Sequence, residues 1–320
     1  MQYYIGCSGW SYSAWQGAFY PSNNNNNNNN NNSSSGWLSY YASVFDYVEI
    51  DSSFYKIPNP FMVKNWFKRT PENFRFTAKF PKIITHDKRL KNVSKELEHF
   101  LQSMLPLRHK TLALLIQLPP SLKIIEGIDN MRRYLIPELD NTRFRYAVEV
   151  RDRSWFQDLA YNFFADNNIC MVWSQLAELR TPPIVTTDFL YVRFIGDRSI
   201  DEKDFGKIQK DKVIEMKKWA SKVRRAVKEE GEGEQGRRER GRKNINLAMV
   251  SANNHYAGFG PETVNIFRKM MGLPEATWGK EKKEEKQKDD KEQEEDKSYL
   301  SSNTLAYYQH SKQSSLTDFL

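Results

Sequence analysis

Two carboxylates stand two residues apart in the run YVEIDS, Glu49 and Asp51, and a Glu–Arg pair with the same spacing, Glu149 and Arg151, stands in RYAVEVR. Residues two apart in an extended strand point to one side, so each pair delivers its polar groups to a single face. A glutamate inside an apolar run is costly to bury unless it is paired or hydrogen-bonded. Two readings of Glu49 and Glu149 follow. They can lock into ion pairs with Lys79, Arg151 or Arg193. Alternatively they can act as general base and general acid, which requires surroundings that push their pKa values apart. Lys79, inside FTAKF, can form a Schiff base with an abasic sugar if burial lowers its pKa, or can stand as a permanent partner of Glu49. His255 or His86 can move a proton near neutral pH.

Polar residues recur at the end of nearly every apolar run, which favours a pocket over isolated ion pairs. Ser8 and Trp10 follow the first run, Asp51 the second, Lys79 and then His86 the third, and Gln117 the fourth. Arg151 follows the fifth, Trp173 the sixth, Arg193 lies in the seventh, and Asn253, Asn254 and His255 close the eighth. Catalytic roles are expected for Glu49, Lys79, Glu149 and His255, and substrate contacts for the others. Lys79, Arg151 and Arg193 can hold phosphates. Trp10, Tyr12, Trp155 and Trp173 can stack an exposed base, or can simply pack. Glu49, Asp51, Glu149 and His255 could hold Mg²⁺ or Mn²⁺ through hard ligands. Zinc is disfavoured, because three of the five histidines, His99, His109 and His310, fall on helix or tail.

The elements that must position these groups are legible as runs. Tyr3–Gly9, Tyr47–Ser52, Phe74–Phe80, Leu112–Leu118, Arg145–Arg151, Ile169–Ser174, Phe189–Ile195 and Ile245–Asn253 read as strands. Helical stretches fall between most of them, at Leu38–Val44, Pro60–Arg69, Ser94–Leu105, Ile128–Leu139, Trp155–Asn167, Asp211–Val227 and Glu262–Met271. Strands alternating with helices in this number predict an α/β fold, a TIM-type parallel (β/α)₈ barrel, whose chemistry sits at the C-terminal ends of the strands. An open doubly wound sheet is the alternative. No GxGxxG follows the first strand, which argues against a dinucleotide site.

Three segments interrupt the pattern: the asparagine–serine tract 23–35, the glycine-bearing charged stretch Lys228–Lys243, and the mixed-charge stretch Gly279–Ser298. The first two read as surface insertions in a barrel domain spanning 1–278, and 279–312 reads as a charged flexible tether. The formal net charge is +8, which favours a polyanionic partner. Two cysteines, Cys7 and Cys170, make neither a disulfide framework nor a CxxC knuckle. MQYYIGCSGW lacks the basic and apolar regions of a signal peptide, and no apolar run reaches membrane-spanning length, so a soluble cytoplasmic protein is expected.

IGCSGWSYSAWQGAFYP, YYASVFDYVEIDSSFYKIP, TPENFRFTAKFPKIITHDKRL, LLIQLPPSL, YAVEVRDRSW, YVRFIG and NNHYAGFGPETVNIF occur in that order. Together they resemble the YecE-like family catalogued as domain of unknown function 72. The resemblance covers most of residues 1–275, implies a TIM barrel, and carries no chemistry with it. Asp51 stands where asparagine is common in that family.

Behind the tether come Gln313, Leu316, Phe319 and Leu320. The last three lie at i, i+3 and i+4, so one helical turn puts them on one face. This spacing resembles the PCNA-interacting peptide by which replication and repair enzymes hold the sliding clamp, with Gln313 as the polar anchor. The resemblance implies PCNA and DNA as partners. The expected function is a DNA-processing enzyme, a nuclease or lyase, recruited by the clamp. The alternatives are a small-molecule or glycoside hydrolase built on the carboxylate pair, and a non-catalytic clamp-binding module.

Overall fold

The computed structural model describes residues 1–22, 36–228 and 244–279. The asparagine tract, nearly all of the Lys228–Lys243 stretch, the tether beyond Gly279 and the terminal peptide Gln313–Leu320 lie outside them. Met1–Ala276 forms one compact unit, and a second, Thr277–Leu320, is described only through Gly279.

The strands are β1 (Gln2–Ser8), β2 (Tyr47–Ile50), β3 (Arg75–Lys79), β4 (Thr111–Gln117), β5 (Tyr146–Glu149), β6 (Ile169–Met171), β7 (Trp173–Leu176), β8 (Phe189–Gly196) and β9 (Leu247–Ala252). All pair in parallel, in the order β6-β5-β4-β3-β2-β1-β9-β8-β7. The ninth strand comes from the sixth expected run. That run extends to Leu176 and breaks at Val172, where it passes from pairing with β5 to pairing with β8. Val172 still donates its N–H to Val148 O at 2.9 Å. One continuous stretch therefore touches both ends of the sheet, and the barrel is nearly closed.

Helices α1 (Trp37–Ala42), α2 (Ser52–Tyr55), α3 (Pro60–Lys68), α4 (Ser94–Met104), α5 (Ile124–Asn130), α6 (Asp158–Asp166), α7 (Val213–Lys228), α8 (Asn254–Ala257) and α9 (Gly260–Met270) surround it. Local chemistry sets their starts. Asn59 Oδ1 accepts the Phe61 N–H at 2.8 Å and Pro60 opens α3. The expected helix 128–139 instead begins at Ile124, whose N–H donates to Ser154 Oγ at 3.1 Å. It then loosens into a π turn at Met131–Leu135 and a 3₁₀ turn at Ile136–Glu138. A tertiary cap moved that boundary; the apolar spacing did not mark it. Among the described residues, no helix is long and apolar enough to cross a membrane.

The bore is filled in layers, as successive inward positions on a closed sheet dictate. Ala113, Leu115, Ala147 and Met249 belong to its apolar cluster. A hydroxyl layer links Tyr47 to Thr77 (2.7 Å) and Thr77 to Tyr191 (2.8 Å). Two residues further along those strands, Glu49 and Arg193 form an ionic layer; two further again, Asp51 stands at the mouth.

Candidate active site

Arg193 organises the ionic layer. Its Nε donates to Glu49 Oε2 at 2.8 Å, its Nη2 to Glu49 Oε1 at 2.6 Å, and its Nη1 to Glu149 Oε2. Tyr191 Oη also donates to Glu49, and Arg151 Nε donates to Glu149 Oε1 at 2.7 Å. Glu49, Glu149 and Arg193 are all buried. Burial alone would raise both carboxyl pKa values. For Glu49 it is outweighed by Arg193 and Lys79, and for Glu149 by Arg193 and Arg151. Glu49 is held well below the usual range and Glu149 at about 2.

That common direction argues against a division of the two glutamates into acid and base. Both shift the same way, and one guanidinium clamps both. The same bridge engages the carboxylate pair on which a glycoside-hydrolase reading rests. Nor does the quartet Glu49, Asp51, Glu149 and His255 assemble as ligands. Among the described residues, no group of three or more His, Cys, Asp or Glu side chains is arranged to hold a metal.

Above this layer opens a cavity of about 570 Å³. Asp51, Lys79, Gln117, Arg151, Arg193, Asn253 and His255 line it, brought together from six different strand ends. Lys79 Nζ lies 2.6 Å from Asp51 Oδ1 and 3.4 Å from Glu49 Oε1. Burial, with Glu49 nearby, pushes Asp51 up to about 6 against the pull of Lys79. His255 sits edge-on to Phe205, ring centroids 4.8 Å apart. Burial first and the Arg198 cation second lower its pKa. Gly196, at φ +82°, lets the end of β8 approach α8, since a Cβ there would lie 2.1 Å from His255 O.

The other expected site residues stand elsewhere. Ser8 Oγ lies 2.6 Å from Ser251 Oγ inside the barrel. Trp10 packs edge-on against Trp66. Asn254 Oδ1 accepts from Trp15 Nε1 at 3.1 Å and from the Gly260 N–H at 2.8 Å. His86 Nδ1 pairs with Thr85 Oγ1 at 2.9 Å, close enough to Arg151 for that charge to lower its pKa after burial. Trp155 and Trp173 are buried and donate to Leu122 O and Ile184 O, so neither ring is free to stack a base. Trp173 was expected at a strand end; the strand runs on to Leu176 and keeps it inside.

Lining residues that the strand pattern missed are Phe54 and Tyr55 from α2, and Arg198, Ile200, Asp201, Glu202 and Phe205 from the loop after β8. That loop is clipped by Lys210 Nζ, 2.9 and 2.7 Å from the Asp197 carboxylate. Its turn-rich sequence GDRSIDEKDFG, directly after an apolar run, was the available signal.

A family model described as "Protein of unknown function DUF72" matches residues 4–289. UPF0759 protein YecE of Escherichia coli K12 is 30% identical over 155 residues, 48% of this chain and 50% of that protein. UPF0759 protein YunF of Bacillus subtilis 168 is 32% identical over 130 residues, 39% and 45% of the two chains. The chain thus spans about half the length of the curated relatives it matches. A DUF72 family protein from Thermotoga maritima MSB8 superimposes with a TM-score of 0.65 at 25% identity, covering 85% of this chain and 100% of that one. Another, from Enterococcus faecalis V583, gives 0.64 at 21% identity over 85% and 96%, a likeness of fold alone.

Proposed function

We propose a DNA-processing role for this chain, which belongs to the DUF72 family: the barrel mouth takes one nucleotide unit and hydrolyses a phosphodiester beside it. The observation that carries this reading is a carboxyl pushed toward neutrality, Asp51, in a cavity that two guanidiniums, Arg151 and Arg198, also line. Arg151 spends its Nε on Glu149, and no hydrogen bond from its terminal nitrogens forms among the described residues. Arg198 is exposed and makes no ion pair among the described residues. Guanidiniums with unspent donors suit phosphate oxygens.

The cavity volume suits a single nucleotide-sized unit. Tyr12 and Phe54, both half-buried, offer ring edges to a base. Asp51, largely ionised at neutral pH, accepts the proton of an attacking water. The water oxygen bonds to phosphorus, the P–O ester bond breaks, and the leaving alkoxide takes a proton from solvent. Lys79 lies between Asp51 and Glu49 as their counter-ion, an arrangement that favours hydrolysis over the lyase route.

Recruitment by the PCNA sliding clamp is part of the same proposal and rests on the spacing of Gln313, Leu316, Phe319 and Leu320. Two measurements test it. End-labelled single-stranded and damaged duplex DNA, incubated with the full chain with and without added Mg²⁺ or Mn²⁺, should be cut, and Asp51→Asn should slow the cutting about 10²-fold or more. Calorimetry should show clamp binding that Phe319→Ala with Leu320→Ala removes. Clamp binding without turnover on any DNA would make the chain a non-catalytic module. Neither binding nor cutting would end the DNA reading.

A further inference from the structure

A second cleft, of about 450 Å³, opens on the same rim as the main cavity. It forms where the 3₁₀ turn Arg153–Trp155 after β5 meets the tight loop after β7, and Arg153 Nη2 donates across to Glu178 O at 3.5 Å. Both loops follow C-terminal strand ends of a parallel sheet, so both face the mouth. Arg153, Phe156, Gln175 and Arg180 line the cleft, with Glu178 as the one carboxylate.

The cations there are weakly committed. Arg153 is exposed and makes no ion pair among the described residues; its one hydrogen bond goes to a backbone carbonyl. Arg180 Nε donates to Gln175 Oε1 at 2.8 Å, and its Nη2 lies a loose 3.6 Å from Glu215. Gln175 is itself fixed, because Oε1 also accepts from Trp219 Nε1 at 3.0 Å. Asp152 alone separates Arg151, which lines the main cavity, from Arg153, which lines the cleft. Residues two apart in extended chain are about 7 Å from one another, the length scale of one nucleotide step.

Resting on the nucleotide reading of the main cavity, we propose that this cleft holds the next phosphate along the strand, so that the site binds a polymer in preference to a monomer. Phe156, half-buried, supplies a ring beside that phosphate for the adjoining base.

The test is a length series: a 5′-mononucleotide, a dinucleotide and a hexanucleotide of deoxythymidine, titrated against the full chain by calorimetry at one fixed salt concentration. Wild type should gain about tenfold or more in affinity from mononucleotide to hexanucleotide. Arg153→Ala with Arg180→Ala should lose that gain and still bind the mononucleotide as wild type does. Lys68→Ala with Lys269→Ala removes two positive charges at helix C-termini, on the opposite end of the barrel, and should leave the series unchanged. A hexanucleotide bound no better than the mononucleotide, or a gain that survives Arg153→Ala with Arg180→Ala, would overturn the cleft assignment and leave the main cavity's role standing. An equal loss in the Lys68/Lys269 variant would reduce the gain to diffuse charge and also overturn it. Failure of every nucleotide to bind would overturn the nucleotide reading itself, and the cleft with it.

Discussion

Lys79 and Asp51 meet 2.6 Å apart at the rim of the barrel, one layer above the buried ionic lattice. The contact keeps an aspartate with a raised pKa in a fixed position facing the cavity, where a general base is needed. The rate of the proposed hydrolysis should fall as pH drops below about 6, because Asp51 then carries a proton and cannot take one from water. Asp51→Asn should lower kcat by about 10² or more and erase that limb of the pH profile. Persistence of the limb in the variant would assign it to another group.

The same residue affects stability with a defined sign. Its folded pKa lies above the ordinary aspartate value, so the folded state holds the proton more tightly than the unfolded chain does. That contribution is complete below the unfolded value and is lost as pH rises through about 6. Asp51→Asn should therefore be more stable than wild type at pH 8, by about 1 to 3 kcal/mol, with the difference shrinking toward pH 4. Urea melts of both proteins at the two pH values measure it.

Glu49 and Glu149 act in the opposite sense. Their folded pKa values are lowered, so their contribution is present above the ordinary glutamate range and fades as pH falls toward the folded values, about 2 for Glu149. Arg193→Met would leave Glu49 only Lys79 and Glu149 only Arg151 as cationic partners and should cost about 3 to 5 kcal/mol at pH 7. Adding Glu49→Gln and Glu149→Gln should restore part of that loss, since amides are cheaper to bury than unpaired charges. A triple variant no more stable than Arg193→Met would show that the lattice matters for shape and not for charge.

His255 offers a spectroscopic check. Burial and the Arg198 cation both disfavour its protonated form, so its NMR titration midpoint should lie below that of an exposed histidine. Arg198→Ala removes one of the two causes and should move the midpoint upward. No movement would mean that burial alone sets it.

Much of the architecture was written in local spacing. The two-residue steps Glu49–Asp51 and Glu149–Arg151 put those groups on inward faces, and the structure stacks them in layers inside the barrel. The choice of partner was not local. Arg193 reaches Glu49 across 144 positions of sequence, and only closure of the barrel decides that it clamps Glu149 as well. Trp173 was misplaced because an unpredictable shift of pairing at Val172 lets the strand run two residues past the expected end, Ser174. Arg198 and Phe205 went unseen because they reach the cavity from a loop, where neither the strand nor the helix period applies.

The Arg193 clamp joins groups that lie far apart in chain order. Glu49 and Glu149 precede the strand that carries Arg193; Lys79 and Arg151 come with them as single partners, but the guanidinium that bridges both carboxylates arrives only with β8. The clamp thereby couples the first half of the chain to the second, and the ionic layer is complete only when β8 is in place.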